Sequence, residues 1–419
     1  MNRYFLDNLN VPLKKILWQI CFVFFFIYEV QPIGVPNMLT SRKLVFYIAG
    51  FIFLTKYVNK YKLKSFNDKL FKNSSNKLIR LGFVMLLWQT VLTLIHSGGN
   101  GQMIWGRTLL FLVLTSFFCT FAYFFFDNLK QFLVSLFYTT IIQGAICISH
   151  FFSYAVKSFL YAHFMVDANF GYLSIDRAYG LGAAESLLSI NLFLGLIATS
   201  ILIIGSKNNL IYILGYIEIL FAALLVGSTG FTLGLILLFL TIILMLKYSS
   251  AYQKTTFFVI ASIGIFVLFS LAATFFADIE DFSSFHKLIS FKEVGFEQQT
   301  TVRVLREQAV APICLHTLLG TSLYRGTIDG LTTMSDTGYI QSYFGNGLIF
   351  TVFFYFVLYK LMLKNVRSIR NRVVFIILGF LFVSIAFTEG KEPYIHHFGN
   401  TFVFFTACFL ANRPIIQKK

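Results

Sequence analysis

AESLLSINLFLGLIATSILIIG (184–205), LIYILGYIEILFAALLV (210–226) and FTLGLILLFLTIILMLK (231–247) follow one another with only SKNN and GSTG between them. Each run approaches the ~20 apolar residues that a helix needs to cross the hydrocarbon core of a bilayer. In lipid the backbone must satisfy its own hydrogen bonds, and a helix does so within one segment. Three such runs in tandem predict a bundle of membrane helices. Composition agrees: 57% of the 419 residues are hydrophobic and 12% charged, and the mean hydropathy is +0.74. Soluble domains hold about 45–50% apolar and about 25% charged residues.

Working outward, further apolar runs lie at 14–30, 44–58, 80–96, 108–126, 132–156, 255–275, 338–360, 373–389 and 398–412, which gives twelve. Pro occurs only at 12, 32, 36, 312, 393 and 414, outside all of them, so unbroken helices are expected. The fold class is all-α integral membrane, a single polytopic domain over 1–419. An even number of spans puts both termini on one side. With that side cytoplasmic, 23 of the 34 Lys and Arg residues fall inside, as the positive-inside bias requires. The first run follows Lys14 and Lys15 and ends at Glu29 and Pro32 without a small-residue cleavage site, so it reads as a retained anchor. Residues 59–79 are expected to lie on the anionic inner leaflet. The five cysteines are scattered and form neither a disulfide framework nor a CxxC metal site. The net charge of +16 follows membrane topology rather than one soluble basic face, so no nucleic acid partner is expected.

Two external loops then stand out, one of medium length at 157–183 and a long one at 276–337. The long loop carries TTVRVLREQAVAPICLHTLLGTSLYRG (300–326) and, running into the next helix, MSDTGYIQSYFGNG (334–347). Loops of this length in a compact chain are usually functional. Thr300 to Ala311 has helical spacing, which sets Arg303, Arg306 and Glu307 on one face until Pro312 ends it. Two guanidiniums on one face suit a diphosphate, because each offers a planar fork to two phosphate oxygens. The alternative is an Arg303–Glu307 surface pair.

Arg325 adds a further guanidinium to the same loop. Asp336, at the mouth of the next helix, has two readings: acceptor of a proton from a sugar hydroxyl, or, with Ser335, a helix N-cap. Tyr339 and Tyr343 are four apart and could stack on a sugar, although tyrosines are common at membrane interfaces. In the medium loop, DRAYGLGAAES holds Arg177, then Gly180 and Gly182 for tight turns, then Glu185 in the first turn of a helix. A glycine-rich turn feeding a helix N-terminus can bind an anion; the alternative pairs Arg177 with Asp176. His316, His396 and His397 read as surface residues, and no metal or cofactor is expected. Glu218 is the carboxylate expected to be most buried, and GSTGF (227–231) is expected to be a tight turn.

DRAYGLGAAES, GSTG and RVLREQAV…LLGTSLYRG…SDTGYIQSYFGNGLI, set in this hydropathy layout, resemble the Wzy-type polysaccharide polymerases. That family is related to the O-antigen ligases among membrane glycosyltransferases of GT-C architecture. The resemblance implies an enzyme that joins oligosaccharide repeat units carried on undecaprenyl diphosphate, at the outer face of the cell membrane and without a metal. It implies that Arg177 and Arg303 or Arg306 hold the diphosphate, helped by Arg325, and that Asp336 serves as base, with Glu185 or Glu307 as substitutes. A flippase and a chain-length regulator would be its protein partners, and O-antigen, capsule or exopolysaccharide its product. Ligases carry a histidine where this chain has Asp336, which favours polymerase over ligase. The Arg-x10-Gly pattern of some polymerases is absent, since Leu188 and Thr317 stand eleven residues after Arg177 and Arg306. Two rival readings are a ligase, which differs in acceptor, and a lipid-linked oligosaccharide flippase, which would carry midplane charges and broken helices.

Overall fold

The computed structural model describes Leu6 and residues 13–36, 39–58, 68–96, 100–164, 178–181, 185–207, 209–276, 313–328, 331–333, 335–396 and 398–413. Helix occupies most of every one of the twelve apolar stretches. Among the described residues, six helices are long and apolar enough to cross a membrane: Leu70–Ile95, Trp105–Phe125, Leu129–Phe152, Leu187–Gly205, Ser228–Tyr248 and Leu348–Arg367. Shorter apolar helices span Lys15–Ile27, Leu210–Val226, Arg372–Thr388 and Gly399–Ala411. This is the architecture of a helical membrane protein. The chain packs as two compact units, each discontinuous in sequence: 1–56 with 126–290 and 372–377, and 57–125 with 291–371 and 378–419.

The first unit is built around the helix Glu185–Gly205, whose residues from Leu188 to Ile204 are buried on all sides. It packs against Leu129–Phe152, Leu210–Val226 and Ser228–Tyr248. Glycines permit that closeness. A Cβ on Gly195 would enter Thr140, and one on Gly230 would enter the backbone of Ser189, the small-residue packing expected where lipid supplies no hydrophobic drive between helices. Ser189 Oγ accepts from Gly230 N–H at 2.8 Å and donates to the Gly227 carbonyl at 2.9 Å. GSTGF is thus mostly helix: Gly227 alone separates Val226 from the helix that starts at Ser228. Near the start of the chain, Arg42 donates to the carbonyls of Phe26 (2.9 Å) and Ile27 (3.0 Å) and pairs with Glu29. A cation thereby satisfies the open carbonyls at the end of the helix Leu13–Ile27.

The second unit departs more from the sequence reading. The stretch expected as one helix over 338–360 is two, Gly338–Asn346 and Leu348–Arg367, broken at Gly347, whose φ of 82° lies in the left-handed region. The helix that was expected to begin at 80 starts at Lys69, capped by Asp68, which accepts from Phe71 N–H at 3.0 Å. A six-residue π-helical turn at Val113–Phe118 interrupts a run that holds no proline, as a five-residue one at Phe53–Tyr57 does where the first unit ends. A three-stranded antiparallel sheet adds β1 (Asn100–Met103), β2 (Leu323–Ile328) and β3 (Leu331–Thr333), with β2 central.

Two hydrogen-bonded ends define this unit. At one, Ser74 Oγ meets Asn365 Oδ1 at 3.2 Å, Asn412 donates to the Asn365 carbonyl at 3.1 Å, and Tyr123 donates to Asp68 at 2.7 Å. At the other, Trp88 Nε1 donates to the Asn346 carbonyl at 2.8 Å, and Ile104 N–H donates to the Ser322 carbonyl at 3.0 Å. Helices Lys69–Ile95 and Leu348–Arg367 therefore run antiparallel. Segments assigned by charge to opposite sides of the membrane lie at opposite ends of the unit. The sheet and most of the polar residues discussed next belong to the second of these ends.

Candidate functional site

Strand β2 carries Tyr324 and Arg325, and pairing fixes where they stand. Gln102 opposes Arg325 and Gly101 opposes Gly326, so closely that a Cβ on Gly101 would strike the Arg325 carbonyl. Arg325 pairs with Asp336. Both side chains are partly exposed, and Arg325 Nε has no hydrogen-bond partner among the described residues. Asp336 thus answers Arg325 rather than capping: the N-cap of the helix Gly338–Asn346 is Thr337, with no side-chain cap bond. Ser335 bonds Thr337 Oγ1 at 2.7 Å instead.

A second guanidinium, that of Arg107, joins this pair from the first turn of the helix Trp105–Leu112. Its carbon lies 3.5 Å from the centroid of the Tyr324 ring, and it donates to Gln341 Oε1. Gln341 Nε2 in turn donates to the Ser335 carbonyl at 2.5 Å. The Tyr324–Arg325 strand and the Ser335–Asp336 turn are thereby held together twice, by an ion pair and by the Arg107–Gln341 bridge. Stacking on an aromatic face while donating in the ring plane is what a guanidinium does and an ammonium does not.

Behind them sits Glu389, fully buried, just beyond the helix Arg372–Thr388. Its Oε1 accepts from the Tyr355 hydroxyl at 2.7 Å and its Oε2 from Ile395 N–H at 2.8 Å, while its carbonyl accepts from Gly338 N–H at 3.0 Å. Gly338 lies directly on the carboxylate. Burial raises the Glu389 carboxyl to about 7, against the opposing pull of the Ile395 and Tyr355 hydrogen bonds and the positive charge of Arg107. The most buried carboxylate among the described residues is therefore Glu389; Glu218, expected in that role, is only half-buried.

The other expected site residues are placed as follows. Tyr339 turns inward, its hydroxyl 2.7 Å from that of Tyr359 and donating to the Ala386 carbonyl at 2.7 Å. Tyr343 meets Thr317 Oγ1 at 2.9 Å. Gly180, in the first unit, packs on Gln143 and Cys147 with no room for a Cβ, a structural reason for glycine there. Glu185 is the first residue of its helix, as the sequence predicted. Arg177, Gly182, Arg303, Arg306 and Glu307 lie outside the described residues. Among the described residues no group of three or more His, Cys, Asp or Glu side chains is placed to hold a metal ion.

Sequence reasoning missed Arg107, Gln341 and Glu389. One signal was available for the strand on which Arg107 stacks. Ile328-Asp329-Gly330-Leu331 is a two-residue Asp-Gly link between residues that oppose each other in β2 and β3, the strongest short-range hairpin cue. Comparison with protein-family models, with curated proteins and with solved structures gave no match to this chain.

Proposed function

We propose that the protein is a membrane glycosyltransferase that polymerises oligosaccharide repeat units carried on undecaprenyl diphosphate, working at the outer face of the cell membrane. The observation that carries this reading is the partly exposed Arg325–Asp336 pair set beside Arg107 at one polar end of a helical unit. Asp336 takes the proton of an acceptor sugar hydroxyl. The freed oxygen bonds the anomeric carbon of the donor sugar as that carbon's bond to the diphosphate breaks. The lipid diphosphate leaves with the bonding electrons, and its growing charge is met by the partly exposed guanidinium of Arg325. Fixed cations aimed at developing charge are commonly the largest single contribution to such a step. Arg107, locked by Tyr324 and Gln341, keeps the strand and the turn in register. Arg177, Arg303 and Arg306 enter as diphosphate ligands from the sequence alone.

The test is purified protein given the lipid-linked repeat unit alone. A ladder of lipid-linked products is expected. Transfer only to a different acceptor would make it a ligase, and an unchanged substrate that moves between leaflets would make it a flippase.

A further inference from the structure

At the opposite end of the same unit, two antiparallel helices change character at one level. On Lys69–Ile95 the exposed side chains before Phe83 are Lys72, Asn73, Lys77 and Arg80, whereas from Phe83 onward they carry no charge and, Thr90 apart, are apolar (Phe83, Val84, Leu87, Val91, Leu94, Ile95). On Leu348–Arg367 the exposed residues up to Phe356 are apolar, and those beyond it are Lys360, Lys364 and Arg367. The Ser74–Asn365 bond and the Trp88–Phe350 stack, with centroids 4.1 Å apart, fix the register between the helices. Counting from Ser74 and Asn365 sets Arg80 level with Lys360. None of these cations forms an ion pair among the described residues, and the acid at this end, Asp68, is buried and bound to Tyr123.

We propose that Lys77, Arg80, Lys360 and Lys364 form a binding surface for the headgroups of acidic phospholipids, separate from the Arg325–Asp336 site and independent of its chemistry. Cations stand directly above an exposed apolar belt on both helices. A lipid satisfies both at once, with its phosphate on the cations and its chains on Phe83, Leu87 and Phe356; a free anion meets only the first. Long basic side chains at such a boundary reach for headgroup phosphate while their stems lie on apolar surface.

The test uses delipidated full-length protein in nonionic detergent, with phosphatidylglycerol or phosphatidylcholine added in equal amounts and retained lipid counted by native mass spectrometry. Wild type is expected to retain phosphatidylglycerol in preference. Changing Lys77, Arg80, Lys360 and Lys364 together to glutamine should lower its retention at least about fivefold. Changing the three lysines to arginine should preserve it, and single Arg80→Gln or Lys364→Gln variants should each lower it about twofold, which keeps the test valid if the fourfold variant does not fold. Equal retention of the two lipids by wild type, or undiminished phosphatidylglycerol in the glutamine variants, overturns the proposal. So does displacement of the lipid by millimolar glycerol phosphate, which would mark a site for free anions.

Discussion

The Tyr355 hydroxyl donates to Glu389 Oε1 at 2.7 Å, joining a phenol within one apolar helix to a fully buried carboxylate at the end of another. Since that carboxyl is raised from 4.5 to about 7, the folded protein holds its proton over a range in which the unfolded chain releases it. Stability contributed by this group is therefore full below about pH 4.5 and declines as pH rises towards 7. By the usual conversion the span is roughly 3 kcal/mol at most. Thermal unfolding in detergent at pH 5 and pH 8 should show a larger loss in wild type than in Glu389→Gln. Equal losses would remove Glu389 as the titrating group.

Arg107 both stacks on Tyr324 and donates to Gln341, so Arg107→Lys keeps the charge and loses the geometry. The expected effect is about 1–2 kcal/mol of stability, read as a lower unfolding temperature. Tyr324→Leu in the Arg107→Lys background should add less than it does in wild type, because the two residues share one contact. Strict additivity would show that the stack contributes nothing.

Gly338 and Gly106 make a matched pair. A Cβ on Gly338 would lie 2.6 Å from Glu389 Cδ and 2.8 Å from the Pro393 backbone, whereas one on Gly106 would meet nothing within 4 Å. Gly338→Ala should therefore lose about 1–3 kcal/mol, and Gly106→Ala, exposed and helical, should gain up to about 1 kcal/mol. Unfolding temperatures that move the same way for both would contradict the packing described around Glu389.

The helices were legible because apolar runs of near-membrane length need no tertiary information to be recognised; helix covers most of each stretch from 14–30 to 398–412. The break at Gly347 was less so. Asn346-Gly347 lies inside an apolar run, and its role depends on backbone contact with Leu318 and Leu319, which no local pattern announces. Arg325 and Asp336 were singled out as isolated charges, and the structure brings them together. Arg107 and Glu389 were passed over for a physical reason. Each sits at the edge of a hydrophobic run, where a charge reads as a helix boundary, and only tertiary contacts set Arg107 on Tyr324 and Glu389 on Gly338.

The Arg325–Asp336 pair separates stability from catalysis. Both side chains are partly solvated, and pairs of that kind contribute about 0–1 kcal/mol, so Arg325→Ala and Asp336→Asn should each leave the unfolding temperature nearly unchanged. If Asp336 is the base, Asp336→Asn keeps the shape of the side chain and removes the proton acceptor. The expected loss is about 10²–10⁴-fold in turnover with little change in donor binding. Arg325→Ala should weaken donor binding and turnover together, and Arg325→Lys should recover little of either, since an ammonium lacks the planar fork. Arg177→Ala, Arg303→Ala and Arg306→Ala should leave single repeat units on the lipid where wild type makes a ladder. Each variant is scored by turnover of purified lipid-linked repeat unit, with unfolding temperature measured on the same sample. Full activity in Asp336→Asn moves the proton acceptor elsewhere. Full activity in Arg325→Ala and in all three loop variants removes the arginines from the diphosphate and the glycosyl-transfer reading with them.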